Sequence, residues 1–233
     1  MSCTLILLPG MDGTGELFAP LVRELGPYVP TRVVRYPDRP LDYAAHEECA
    51  RAALPTDRPF VVLGESFSGP IAISIAASAP PGMRGYILSA SFVCAPGPNL
   101  ARLRRFYKYL VPQRMPRAVA SYLLLGRYAT PALREVLASA LDMMSVESMV
   151  ARLHAIASVD VRAEAQRVRM PGLYLRASED RILDASAAQL FMQHAAGARV
   201  VDIAGPHCLL LANPRAAACV LTQTLAEWGA RAD

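Results

Sequence analysis

Short apolar runs alternate with longer stretches of helical spacing along most of this chain. Six runs have the length and composition of buried strands, namely Thr4–Leu8, Thr31–Tyr36, Phe60–Leu63, Gly85–Ser89, Gly172–Leu175 and Arg199–Ile203. The stretches between them repeat their apolar residues at the helical period, at Leu17–Leu25, Tyr43–Ala53, Phe67–Ala79, Ala185–Ala196 and Leu209–Trp228. This alternation predicts an α/β fold, with βαβ crossovers and a mainly parallel sheet of about six strands that has helices on both faces.

The stretch from Ala95 to Arg167 breaks the alternation, because it has several amphipathic segments and no strand-like run. Prolines punctuate it at Pro96, Pro98, Pro112, Pro116 and Pro131. Residues 95–167 are too many for a simple connection inside a regular α/β core, so we predict a helical cap insertion over one end of the sheet. The chain, residues 1–233, then forms a single domain whose core comprises residues 1–94 and 168–233.

The composition excludes several classes of protein. With 53% hydrophobic and 19% charged residues, the chain has the balance of a globular protein rather than a disordered one. No apolar run approaches the roughly 20 residues of a membrane span, and the start lacks the charged region and cleavage site of a signal peptide. The five cysteines have no paired or metal-binding spacing, so we predict reduced thiols, no metal site and a cytoplasmic location.

The most specific pattern lies where the apolar run Phe60–Leu63 continues into Gly64-Glu65-Ser66-Phe67-Ser68-Gly69. A strand, a tight turn of small residues and an apolar helix form a nucleophile elbow, which projects a serine hydroxyl from the carboxyl edge of a sheet. Position 68 is Ser instead of the Gly of the G-x-S-x-G pattern, and we expect the turn to form because serine is small. The alternative is an ordinary strand-to-helix loop with a capping serine.

A glycine-rich loop, Leu8-Pro9-Gly10-Met11-Asp12-Gly13-Thr14-Gly15, follows the first predicted strand. Such a loop can aim backbone N–H groups at a developing oxyanion, and we predict donors at Met11 and at Phe67, the residue after the serine. The glycine spacing matches neither the dinucleotide-binding G-x-G-x-x-G nor a P-loop, which argues against a nucleotide cradle. A purely structural turn is the remaining alternative.

A general base and its acid partner are expected late in the chain. His207 comes just beyond the last predicted strand, whereas His46, His154 and His194 lie in helical stretches and are interpreted as surface or packing residues. Asp180 directly follows the preceding strand and is the predicted acid that orients the imidazole. Its neighbours Glu179 and Asp184 are the alternatives for this role.

In combination, these motifs resemble the α/β-hydrolase superfamily across nearly the whole chain. The resemblance is carried by the segments at residues 8–15, 64–69, 178–183 (Ser-Glu-Asp-Arg-Ile-Leu) and 205–207 (Gly-Pro-His), and by the order serine, aspartate, histidine. The first two segments also look like those of bacterial esterases and of the hydrolase portion of plant phytyl ester synthases. The resemblance implies a catalytic triad of Ser66, Asp180 and His207, an oxyanion hole at Met11 and Phe67, and a cap.

The implied reaction is two-step acyl transfer through an acyl-enzyme on Ser66, which requires no metal and no cofactor. Superfamily relatives that dehalogenate or open epoxides use an aspartate nucleophile, so a serine argues against those reactions. The chain begins too close to the first strand for the two further strands that the family usually has. We therefore expect an exposed sheet edge or a partner chain that covers it, as in a homodimer.

Two features of the predicted cap bear on the substrate. Its apolar stretch includes Phe106, Tyr109 and Tyr122, which we predict to line an acyl pocket, with ordinary cap-to-core packing as the alternative. No Asp or Glu occurs between Ser66 and Arg134, and basic residues including Arg104 and Arg105 fill the interval. This stripe predicts binding of a carboxylate, of the phosphates of coenzyme A or of an acyl-carrier protein, unless it is simply a solvated face.

The sequence therefore predicts a serine hydrolase of small-molecule carboxylic esters or thioesters. No recognised nucleic-acid-binding module accompanies the basic residues, so nucleic acid is not an expected partner. The alternatives are an acyltransferase that uses the same machinery and a non-catalytic small-molecule receptor that keeps the hydrolase fold.

Overall fold

Six parallel strands pair in the order β2-β1-β3-β4-β5-β6 in the computed structural model. The structure describes residues 3–97 and 101–230, without the side chains of residues 101, 103, 104, 113 and 230. The strands are β1 (Thr4–Leu8), β2 (Thr31–Val33), β3 (Phe60–Glu65), β4 (Met83–Ser89), β5 (Gly172–Ala177) and β6 (Ala198–Ile203). The α-helices are α1 (Ala19–Leu25), α2 (Tyr43–Ala52), α3 (Gly69–Ala77), α4 (Tyr107–Leu110), α5 (Arg117–Leu124), α6 (Pro131–Asp142), α7 (Val146–Ser158), α8 (Arg162–Arg167), α9 (Ala185–His194), α10 (Leu209–Ala212) and α11 (Pro214–Ala230).

Both faces of the sheet are buried, which explains why the central strands are continuously apolar. Alternate residues of a strand point to opposite faces, so Ile6 and Val62 join one cluster with α3 and α9, while Leu5 and Val61 join another with α1 and α11. The predicted α/β-hydrolase fold, with a parallel sheet of six strands and helices on both faces, is confirmed.

Residues 101–167, hereafter the helical segment, contain α4 to α8. The chain before this segment pairs with the chain near its end. Ala95 N–H donates to the Val159 carbonyl, and Val161 N–H donates to the Val93 carbonyl. Its apolar side chains form a third cluster that includes Leu17 and Cys208, which lie in the loops after β1 and β6. The helical segment therefore packs over the carboxyl end of the sheet. The division into a core and a cap at residues 95–167 stays a prediction.

The predicted boundaries differ from the structure at two informative places. Pairing in β2 ends at Val33, and the backbone then turns toward the glycine-rich loop, where Tyr36 N–H donates to the Gly13 carbonyl. The last predicted helix is two helices, α10 and α11, which are separated at Asn213. Pro214 causes the break, because the residue before a proline is disfavoured in the helical conformation.

The two sheet edges are the short strand β2 and strand β6, and both are partly exposed. The expectation that a partner chain covers an edge in a homodimer stays a prediction. All five cysteines are free. In the part of the chain that the structure describes, no helix is long and apolar enough to cross a membrane.

Candidate active site

Ser66 lies at the tip of β3 with a left-handed backbone, at a φ of 46°. It begins a short 3₁₀-helix, Ser66–Ser68, that leads into α3. Gly64 and Gly69 allow this sharp turn, because a Cβ on Gly64 would overlap the Ser68 carbonyl and a Cβ on Gly69 would overlap the Ser91 side chain. The elbow therefore forms with glycine at positions 64 and 69 and with serine at position 68.

The Ser66 backbone is held by a hydrogen-bond chain from the neighbouring strands. The Ser91 hydroxyl donates to the Ser66 carbonyl at 2.5 Å, and the Tyr174 hydroxyl donates to the Ser91 carbonyl at 2.5 Å. The Ser91 N–H in turn donates to the Tyr174 oxygen at 3.1 Å. Ser91 and Tyr174 are buried, so their hydrogen bonds are shielded from competing water.

Ser68, at the position where the G-x-S-x-G pattern has glycine, makes hydrogen bonds that hold the elbow. Its hydroxyl donates to the Pro9 carbonyl at 2.5 Å, which ties the elbow to the glycine-rich loop. The Tyr36 hydroxyl donates to Ser68 Oγ at 2.8 Å, since Ser68 has already used its only proton. The departure from G-x-S-x-G therefore adds a link between the elbow and the loop.

Three predicted residues from distant parts of the chain meet at the carboxyl end of the sheet. Ser66 Oγ lies 2.9 Å from His207 Nε2, and His207 Nδ1 lies 2.8 Å and 3.1 Å from the two oxygens of Asp180. The side chains of His207 and Asp180 are each only 7% exposed. The carboxylate of Asp180 also accepts the Ile182 and Leu183 N–H groups, at 2.8 Å and 2.9 Å, which fixes its orientation toward the imidazole.

The two alternative acids have other partners. Glu179 Oε1 accepts from Arg127 at 2.7 Å and from the Tyr128 hydroxyl at 2.9 Å, so it links the helical segment to the core. Asp184 caps α9 by accepting the Ser186 N–H at 2.8 Å. The geometry therefore favours Asp180 as the partner of His207.

The glycine-rich loop forms a tight turn beside Ser66. Gly13 N–H donates to the Gly10 carbonyl at 3.1 Å, and the buried Asp12 carboxylate accepts both the backbone N–H and the hydroxyl of Thr14. In the described residues, the N–H of Met11 donates to no protein acceptor. The Phe67 N–H lies in the first turn of its 3₁₀-helix, where N–H groups have no partner within the helix. Both predicted oxyanion donors are therefore free of intrahelical or loop hydrogen bonds.

A cavity of about 320 Å³ opens at Ser66 and His207. Met11 and Glu65 lie beside them, and most of the remaining wall consists of aliphatic side chains from the helical segment, including Leu110, Leu123, Leu124, Leu137 and Met149. Ligand pockets of small molecules have this size and this apolar character.

The structure does not bring the three predicted aromatic residues to this cavity. Phe106, Tyr109 and Tyr122 are 43%, 61% and 61% exposed, and none of them is in its wall. The helical period explains the difference on α5, where Ala120, Leu123 and Leu124 share one face and Tyr122 lies outside it, beneath the Arg181 guanidinium. The spacing of the aliphatic residues was the signal that identifies the inward face.

The basic stripe remains without an assigned ligand. Arg105 is exposed and its guanidinium lies 5.0 Å from the centre of the Phe106 ring, while the side chain of Arg104 lies outside the described residues. Binding of a coenzyme A or acyl-carrier group here stays a prediction. Within residues 3–97 and 101–230, no group of three or more His, Cys, Asp or Glu side chains is placed to hold a metal ion.

Glu65 is a site residue that the sequence reasoning did not identify. The residue is 5% exposed and lies in the cavity wall next to Ser66. Burial raises the pKa of Glu65 from 4.5 to about 8, and the negative charge of Asp12 acts in the same direction. The signal was an acidic residue at the end of an otherwise apolar strand. Glu65 is therefore largely neutral at pH 7, directly beside the serine.

Comparisons with known proteins agree with this architecture. A model of the family described as "Serine aminopeptidase, S33" matches residues 32–205. An esterase from Exiguobacterium antarcticum superposes with a TM-score of 0.82 at 13% identity over 97% of this chain and 92% of its own. A hydrolase from Oleispira antarctica gives 0.80 at 14% identity, over 97% and 92%. A hydrolase from Pseudomonas aeruginosa gives 0.76 at 23% identity, over 96% and 90%. No match was found among curated protein sequences.

Glu65→Gln tests the raised pKa. Between pH 4.5 and about 8 the folded chain retains a proton on Glu65 that the unfolded chain has released, so the free energy of unfolding falls as pH rises through this window. Glutamine does not titrate, so the stability of Glu65→Gln should fall less. Urea denaturation at pH 5 and pH 8.5 measures the difference, with Glu24→Gln on the exposed face of α1 as the control. Equal pH dependence in wild type and Glu65→Gln contradicts the buried, neutral carboxyl.

Proposed function

The chain belongs to the serine aminopeptidase S33 family and has the α/β-hydrolase fold, and from this we propose that it is a serine hydrolase of carboxylic esters or thioesters with an apolar acyl group. The observation that carries the proposal is the continuous hydrogen-bond chain from Ser66 through His207 to Asp180. A nucleophile, a base within hydrogen-bonding distance and a carboxylate that orients the base are the components of nucleophilic acyl transfer.

The proposed reaction has two steps. His207 Nε2 takes the proton of Ser66 as its oxygen attacks the carbonyl carbon, and the N–H groups of Met11 and Phe67 stabilise the oxyanion that forms. His207 then gives the proton to the departing alcohol or thiol, which leaves an acyl group on Ser66. Water, deprotonated by His207, hydrolyses this acyl-enzyme and restores the serine. Asp180 stabilises the imidazolium in both steps.

The cavity supports an uncharged, apolar acyl group as substrate. Its aliphatic wall begins directly at Ser66, so the acyl chain has apolar surroundings from the carbonyl onward. The buried Asp12 carboxylate also lies in the wall and disfavours a substrate with a negative charge near the reacting carbonyl.

We also propose that the helical segment acts as a cap over the acyl-binding cavity. It contributes about half of the residues that line the cavity, and polar contacts attach it to the core. Arg181 donates to the Tyr122 carbonyl at 3.0 Å, and Ser145 donates twice to the Asp38 carboxylate, at 2.7 Å and 3.0 Å.

The first test of the proposal is covalent labelling. A fluorophosphonate should label the wild type, because it captures an activated serine, and should not label Ser66→Ala. Ser78→Ala, which removes an exposed hydroxyl at the C-terminal end of α3, is the control and should still be labelled. Mass spectrometry of the labelled peptide measures the result. A folded wild type that stays unlabelled contradicts catalysis and favours the receptor alternative.

Asp180→Asn should lower kcat for a p-nitrophenyl ester by about 10⁴, because asparagine neither holds the required tautomer nor stabilises the imidazolium. Glu179→Gln is the matched control, since it changes the adjacent acidic residue that bonds to Arg127 and Tyr128. It should keep kcat within a few-fold of the wild type. Comparable losses in both variants contradict the assignment of Asp180.

Leu123→Trp should shorten the acyl chain that the cavity accepts, because the larger side chain fills space in the wall. We expect kcat/KM for p-nitrophenyl octanoate to fall at least tenfold, a loss of about 1.4 kcal/mol, while that for the acetate changes little. Tyr122→Trp, at the exposed neighbouring position, should change neither value. Equal losses for both esters in Leu123→Trp contradict acyl binding in this cavity.

A further inference from the structure

Arg152, on helix α7 of the helical segment, is the largest side chain that the fold buries completely. Its exposed fraction is 0%, although arginine is almost never fully buried unless its charge and its donors are matched. It belongs neither to the serine, histidine and aspartate group nor to the cavity wall. Such a costly side chain requires an explanation in terms of what it contacts.

The guanidinium is held between the glycine-rich loop and the core. Nη1 donates to the Met11 carbonyl at 2.8 Å, Nε donates to His46 Nε2 at 3.2 Å, and Nη2 lies 3.5 Å from the Pro37 carbonyl. Its central carbon lies 5.8 Å from the centre of the Tyr36 ring, in the range of a cation–π contact. The shortest of these hydrogen bonds is the one to Met11.

The groups around Arg152 stabilise a positively charged guanidinium in one position. The Asp12 and Asp38 carboxylates attract it, and His46 presents a lone pair because its Nδ1 donates to the Asp42 carbonyl at 2.6 Å. Burial lowers the pKa of His46, which keeps this imidazole in the neutral form that accepts from Arg152.

Gly13, in the glycine-rich loop, leaves the space that the Arg152 guanidinium occupies. Gly13 has a φ of 70°, and a Cβ at this position would overlap Arg152 Nη1. Any other residue at position 13 would therefore be strained and would displace the guanidinium. The loop sequence and the arginine, 139 positions apart by their residue numbers, fit one another.

The two peptide groups that flank Met11 are thus both fixed. The Gly10 carbonyl on one side accepts from Gly13 N–H at 3.1 Å, and the Met11 carbonyl on the other side accepts from Arg152. A residue whose two flanking peptide planes are held has no remaining backbone freedom. The Met11 N–H lies in the same plane as the Gly10 carbonyl, so Arg152 acts on it indirectly, by holding the adjoining plane on the other side of the Met11 Cα.

We propose that Arg152 is a positioning residue that holds the Met11 N–H in the direction required of an oxyanion donor. The inference rests on the proposed function, because it explains how the helical segment sets the geometry of the oxyanion hole. Arg152 touches no reacting atom and acts only through the Met11 peptide. A helix that helps to form the acyl cavity thereby also controls stabilisation of the transition state.

The test compares Arg152→Met with Arg152→Lys, which keeps the charge but not the forked set of donors. Because a lost oxyanion donor typically costs 10²–10³ in rate, we expect kcat for a p-nitrophenyl ester to fall by about 10² in Arg152→Met and by less in Arg152→Lys. Arg117→Met is the matched control. It removes an exposed arginine of the same segment whose partner is Asp142, and it should retain the activity of the wild type.

Two ligands separate positioning from a merely structural role. An octyl trifluoromethyl ketone adds to the serine and forms an oxyanion, whereas the corresponding methyl ketone occupies the cavity with little addition. Arg152→Met should lose affinity for the trifluoromethyl ketone in parallel with kcat/KM and should bind the methyl ketone within about threefold of the wild type. Equal loss of both ligands, or wild-type kcat in a folded Arg152→Met, overturns the proposal. If Arg152→Met does not fold, the same comparison is made with Arg152→Lys.

Amide hydrogen exchange at residues 11–13 reads the order of the loop without any assay of activity. We expect faster exchange at these residues in Arg152→Met and Arg152→Lys, and not in Arg117→Met, even if the wild type hydrolyses none of the esters. Failure of the proposed function would then appear as an unlabelled wild type. Failure of this inference would appear as unchanged exchange at residues 11–13.

Discussion

The left-handed backbone at Ser66 is the constraint on which the rest of the site depends. A residue other than glycine in this conformation costs about 1–3 kcal/mol, and it persists only where the surrounding structure holds it. Here the Ser91 hydroxyl binds the Ser66 carbonyl, Ser68 binds the Pro9 carbonyl, and Gly64 and Gly69 leave room for the turn. The same contacts that hold the strain aim the Ser66 hydroxyl at His207 and bring the elbow against the glycine-rich loop.

The buried acidic groups near Ser66 differ in whether hydrogen bonds and charges compensate them. The carboxylate of Asp180 is matched by the imidazole and by two backbone N–H groups, and Asp12 is matched by Thr14 and by the nearby charge of Arg152. Among the described residues Glu65 has no hydrogen-bond donor of this kind, and burial raises its pKa so that the neutral form dominates at pH 7. The site therefore places negative charge behind the histidine and a neutral carboxyl next to the nucleophile.

The helical segment connects substrate binding with the proposed chemistry. Its aliphatic side chains form about half of the cavity wall, and its fully buried Arg152 reaches the Met11 carbonyl. A displacement of α7 would therefore change both the shape of the acyl cavity and the backbone of the glycine-rich loop.

The sequence by itself predicted the α/β-hydrolase fold, the approximate strand positions and the candidate group of Ser66, Asp180 and His207, whose side chains the structure brings together. These rest on local signals, since apolar periodicity places each strand and a parallel sheet brings the loops after its strands to one edge. Only the tertiary structure decided that Phe106, Tyr109 and Tyr122 lie outside the cavity, that Glu65 is neutral and that Arg152 reaches the Met11 carbonyl. The physical reason is that burial and long-range contact belong to pairs of segments, and no local pattern records which segments will meet.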